Sequence, residues 1–171
     1  MDPLSSLLSD IRAEGSVVSH AVLTAPWTIR FTDGAPLTMV SVLRGGGTLL
    51  LPDGTRQEVG VGDTALVRGP EPFLLADRPA TVGRPHTEYE IACFSPDPEC
   101  TARGLGGIRW GADPDGATAL IVGAYRTSGR RPERLLRALP PVLVVNEDVE
   151  VCAWLETAAA DAARSRPVRR R

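Results

Sequence analysis

The sequence predicts one mainly β domain, built as a sandwich or barrel, and three observations lead there. Short apolar or alternating runs recur from Val17 to Val122, each about ten residues from the next. Gly and Pro bound these runs, and the chain holds 17 and 15 of them, many for its length. Its 171 residues, 43% hydrophobic, supply enough apolar material for one core and too few residues for two comfortable domains.

In chain order, Pro3 to Arg12 places Leu4, Leu7, Leu8 and Ile11 at helical spacing, so a short amphipathic helix is expected first, ended by Gly15. The cleanest β signal follows at Trp27 to Thr32. Trp27, Ile29 and Phe31 share one face there, while Thr28, Arg30 and Thr32 take the other, with Arg30 toward the surface. Asp33-Gly34 and Pro36 make a turn, Leu37 to Leu43 is a second strand, and Gly45-Gly46-Gly47 closes it. Leu49 to Leu51 is a third strand, turned by Pro52-Asp53-Gly54. Val59 and Val61 lead into Gly62-Asp63, then Ala65 to Val67, Phe73 to Ala76 and Tyr89 to Phe94 complete the short runs. Thr118 to Tyr125 is the longest apolar strand candidate.

Beyond Tyr125 the pattern turns helical. Pro132 suits the first turn of a helix near 132–139 that carries Leu135, Leu136 and Leu139, and Pro140-Pro141 stops it. Val142 to Val145 reads as a buried strand, which completes a domain over 1–145. Asn146 is a good N-cap, with Glu147, Asp148 and Glu150 in the following turn. The C-terminal helix expected over 146–163 aligns Val151, Leu155, Ala158 and Ala162 on one stripe, suited either to packing on the domain or to a second copy. Residues 164–171 are Arg-rich and read as a disordered tail. No internal repeat is visible.

Net charge −2 gives the chain as a whole no electrostatic basis for nucleic-acid binding, although all 19 basic residues are arginine. No basic start with a long apolar run opens the chain, and no stretch reaches the roughly 18 apolar residues of a membrane span. Three cysteines without a CxxC pair fit a reducing compartment, so a cytoplasmic setting without membrane contact is expected.

Five segments, in order, resemble the cupin-type N-terminal domain of AraC-family transcription regulators: Leu23 to Phe31 (LTAPWTIRF), Val40 to Gly54 (VSVLRGGGTLLLPDG), Val61 to Ala80, Asp113 to Arg126 and Arg134 to Val145. The resemblance covers roughly residues 5–163. It implies a cupin-like (double-stranded β-helix) barrel with C-terminal α-helices, an unknown small-molecule effector and a homodimer. In that family a pair of helix-turn-helix units reads the DNA. Nothing after Ala163 has their length, apolar spacing or turn glycine, so an isolated or truncated regulatory domain is expected, touching DNA only through an absent part.

Catalytic cupins hold a metal with converging histidines and a carboxylate. By the same resemblance, Val40 and Phe73 stand where histidines are common, so no metal, no cofactor and no catalytic residues are expected. His86, Cys93 and Cys100 lie seven apart, which is not a zinc spacing; an exposed loop histidine and buried cysteines are the plainer reading. Cys93 and Cys100 are also a candidate redox pair, opposed by the acidic neighbours Glu88, Glu90, Asp97 and Glu99, which raise a thiol pKa. No GxSxG elbow is present, and Gly45-Gly46-Gly47 lacks the Lys-Ser/Thr of a phosphate loop.

A ligand pocket remains open at this point. His20, Trp27, Ile29, Phe31 and Tyr89 are its candidate lining, and the favoured alternative is that they fill the core. The expected role is therefore a ligand-sensing and dimerisation domain of an AraC-type regulator. The second reading is a stand-alone cupin-fold binding protein or enzyme.

Overall fold

The computed structural model describes residues 17–91, 109–111, 115–125 and 130–146. Eleven strands and one α-helix are defined there. They are β1 (Val17–Leu23), β2 (Trp27–Phe31), β3 (Leu37–Arg44), β4 (Gly46–Leu50), β5 (Arg56–Gly60), β6 (Asp63–Arg68), β7 (Phe73–Ala76), β8 (Thr87–Ile91), β9 (Arg109–Trp110), β10 (Thr118–Tyr125), α1 (Arg130–Ala138) and β11 (Val142–Asn146). A 3-10 turn at Pro79–Thr81 interrupts the β7–β8 connection. The expected N-terminal helix and the helix over 146–163 lie outside the described residues.

Two sheets form. The first runs β11-β6-β3-β10-β1-β9, and the second β5-β4-β7-β2-β8. Neighbours pair antiparallel except β1 with β9 and β2 with β8, which run parallel. Among the described residues no ladder joins the sheets into a ring, so the expected closed barrel is here two facing sheets. Their inward residues meet in one core: Ala21, Leu23, Val40, Val42, Leu120 and Val122 from the first, and Trp27, Ile29, Phe31, Leu49, Phe73 and Leu75 from the second. Alternation along β2 and β3 drives this packing, because every second side chain of a strand faces the same way.

Gly45, at φ 75°, is the corner where the chain leaves β3 in one sheet and enters β4 in the other. The expected three-glycine turn is corrected here: Gly46 and Gly47 lie inside β4. A Cβ at Gly46 would stand 2.7 Å from the carbonyl oxygen of Val59, and one at Gly47 equally close to that of Ala76. Those two glycines serve close backbone approach instead of a bend. Pro52-Asp53-Gly54 does turn β4 into β5, with Gly54 at φ 86° and the Asp53 carboxylate accepting from the Thr55 amide at 2.8 Å.

β1 did not stand out in the sequence, because Ser19 to Leu23 are all buried and no alternation survives. Its register with β10 pairs His20 with Ile121 and Ala21 with Leu120. α1 packs Leu136 against Leu37 and Leu66 on the outer face of the first sheet. The Arg68 guanidinium donates to the carbonyls of Arg137 and Leu139 at 3.2 and 2.7 Å, satisfying acceptors that a helix end leaves open.

Candidate functional site

β2 dominates the interior. Trp27, Ile29 and Phe31 project between the sheets and are fully buried, and Tyr89, opposite Ile29 on β8, packs part-buried against the same cluster. His20 does not join them. Its neighbour Ala21 points inward, so His20 takes the outer face of the first sheet, where it is 3% exposed. Cys93, Cys100, Val151, Leu155, Ala158 and Ala162 lie outside the described residues.

At one end of β2 the rings of Phe31 and Phe73 stack, with centroids 4.3 Å apart and planes 8° from parallel. A cavity of about 150 Å³ opens beside Phe73. Leu51, Val67 and Phe73 form its apolar wall, and Asp53, Arg68 and Glu71 its charged rim. Ligand sites for drug-sized molecules start near ~300 Å³. The cavity beside Phe73 is therefore smaller than such a site. Of these rim residues the sequence marked only Asp53, as part of a turn; Arg68 ends β6 and Glu71 lies between β6 and β7.

At the other end of β2, the Trp27 indole N–H is buried without a hydrogen-bond partner among the described residues. An orphaned buried donor costs about 1–3 kcal/mol. The inner cluster is otherwise mainly apolar, with the Tyr89 hydroxyl beside it and the buried Ser19, Thr38 and Thr118 on the same face of the first sheet as Val122, Val67 and Leu23. Val40 and Phe73, the positions the family resemblance implied for histidine, both sit in that cluster. Neither side chain has a metal-donor atom. No group of three or more His, Cys, Asp or Glu gathers as a metal site among the described residues.

A polar network covers the outer face where β2 meets β8. The Arg84 carbonyl can only accept, so His86 Nδ1 carries the proton that binds it. His86 Nε2 and the Thr28 hydroxyl are hydrogen-bonded at 2.8 Å. Arg30 pairs with Glu88 at 3.1 Å and Thr32 donates to Glu90 at 3.0 Å. The expectation of a solvent-exposed His86 is thereby corrected, for its side chain is 11% exposed and bound at both nitrogens. Sequence reading missed this contact because Thr28 and His86 are 58 residues apart.

One further carboxylate is unusual. Asp33 accepts from the Ala35 amide through Oδ1, while Oδ2 is buried without a partner among the described residues. Burial pushes its pKa above the ordinary 3.8, against the lowering effect of the backbone hydrogen bonds.

The fold is a two-sheet β domain with a mainly apolar interior. The cupin family profile matches residues 2–170, and the chain belongs to that family. No curated protein matches it. Among solved structures the chain is similar to ToxT from Vibrio cholerae. One structure, of apo ToxT from strain SCE256, shares 10% identity at TM-score 0.46, over 86% of this chain and 47% of that one. A second, at 1.65 Å resolution, shares 12% identity at TM-score 0.44, over 92% and 51%. The chain thus spans about half the length of the ToxT chains it matches. No helix among the described residues is long and apolar enough to cross a membrane.

Proposed function

We propose that this cupin domain is the ligand-sensing, regulatory domain of an AraC-type transcription regulator and performs no catalysis itself. The five ordered segments that resemble such domains support the family reading. The observation that carries the sensing role is the Trp27 donor, buried in a mainly apolar interior with no partner among the described residues. An acceptor on a ligand offsets the cost of burying that donor. The effector is accordingly a small apolar molecule with one hydrogen-bond acceptor, for which Trp27 is the donor. Two copies associate through the stripe Val151, Leu155, Ala158 and Ala162, in the cytoplasm, and DNA is read by helix-turn-helix units outside this domain.

Trp27 provides its own test. A protein with Trp110→Phe and Trp154→Phe keeps Trp27 as its single indole reporter. Titration with small apolar ketones and carboxylic acids is expected to shift the Trp27 emission saturably and raise thermal stability. A ligand at a hundred times its Kd adds about 2.7 kcal/mol. Trp27→Phe in the otherwise unaltered protein should keep the fold and weaken that stabilisation about ten-fold in affinity, the equivalent of one hydrogen bond. Equal stabilisation of the Trp27→Phe variant contradicts the proposal.

A further inference from the structure

A second recess lies away from the inter-sheet interior, where the β1–β2 turn meets the β7–β8 connection. Its volume is about 310 Å³, and Pro26, Arg78, Ala80, Thr81, Arg84 and Pro85 line most of it. That volume reaches the lower range of small-molecule sites.

The walls are held by backbone bonds. At one end of the connection the Asp77 amide donates to the Trp27 carbonyl at 3.1 Å, and at the other the Thr87 amide donates to that of Pro26 at 3.1 Å. Between them, Thr81 donates from its amide to the Arg78 carbonyl at 3.0 Å, and Arg84 likewise to Thr81 at 3.1 Å. His86 holds the Arg84 carbonyl from outside. The recess is therefore shaped before any ligand arrives, which limits the ordering cost of binding.

Its charge is unbalanced. Asp77 engages the Thr81 hydroxyl through Oδ1 and pairs with Arg78 at 3.4 Å through Oδ2. Arg84 makes no ion pair among the described residues, and the nearby Glu88 is committed to Arg30. Two guanidiniums thus face one carboxylate already in use. A planar guanidinium binds a carboxylate through two parallel N–H bonds, a match that a point charge lacks. Pro26, Ala80 and Pro85 offer the adjoining apolar wall.

We propose that this recess binds a small amphipathic carboxylate, its carboxyl group on Arg84 with support from Arg78 and its apolar body on the Pro26–Ala80–Pro85 wall. This goes beyond the sensing role given to the interior and does not depend on it.

The probes are 3-phenylpropionate, its neutral amide and inorganic phosphate, followed by calorimetry and by amide NMR shifts in the whole chain. The carboxylate should bind about ten-fold or more tighter than the amide, as one charge-assisted pair provides. Shifts should centre on Thr81, Arg84 and His86. Arg84→Gln should lose about that same factor, Arg84→Lys should fall between, and Arg56→Gln on the distant β5 should change nothing. Ala80→Trp, which fills the recess, should abolish binding. Equal binding of amide and carboxylate overturns the proposal, as does an undiminished Arg84→Gln or the absence of shifts at the three named residues. Phosphate binding as strongly as the carboxylate overturns the role of the apolar wall and leaves a plain anion site. Loss of the fold in Ala80→Trp, read by circular dichroism, removes that variant from the comparison and leaves the arginine series to decide.

Discussion

Asp33 is where the single-residue chemistry is most exposed to test. Its carboxyl is desolvated and half-satisfied, so the folded state holds the proton more tightly than the unfolded chain does. The sign follows from linkage. A raised folded pKa contributes stability that is fully present below the unfolded value and is lost as pH rises through the folded value. Asp33→Asn lacks that loss, because a neutral amide costs less to bury than a carboxylate. Its stability relative to the parent should therefore rise between acidic and neutral pH in urea melts, and a difference constant with pH would remove Asp33 as the cause. Nothing in Asp33-Gly34 beyond a turn was legible in the sequence, since burial of the second oxygen depends on distant packing. Trp27, Ile29 and Phe31 were legible as one face because Thr28, Arg30 and Thr32 alternate with them. His20 was not: in Ser19-His20-Ala21-Val22 every residue is buried, and only the register with β10 decides which face each takes.

Elements were readable where alternation or a turn signal was strong, and hidden where both sides of a strand are covered. β2, β3, β7 and β10 fell close to their expected ranges. β1 has no polar face to mark it, and β9 is two residues long and defined only by its partner. The glycines of β4 show the other failure. Gly45-Gly46-Gly47 reads as a bend from composition, yet only Gly45 has the positive φ of a corner, while Gly47 is small because the Ala76 carbonyl approaches it. Gly47→Ala should consequently cost about 1–3 kcal/mol, as an overpacked position does. Gly54→Ala, with φ 86° and open space around it, should cost about 1–2 kcal/mol through backbone strain alone. Chemical denaturation separates the two, because a Gly47→Ala protein of unchanged stability would mean that β4 and β7 can move apart freely.

At the scale of the whole molecule, Gly and Pro punctuation indicated β architecture, and the ordered resemblance indicated the cupin family. The split into two sheets was not legible, because which strands pair across a corner such as Gly45 is set by packing between segments far apart in sequence. The site divides in the same way: β2 announced itself, whereas the recess around Asp53, Arg68 and Phe73 brings together the β4–β5 turn, β6 and β7, which no local pattern links. As a unit the molecule offers a mainly apolar interior between two sheets and, among the described residues, one unmatched indole donor on which the proposed sensing role rests. Native mass spectrometry of gently purified protein, beside the same sample denatured, tests that account most directly. It predicts a dimer that carries a stoichiometric small organic mass, lost on denaturation. A monomer with a stoichiometric metal ion and no organic mass would contradict it.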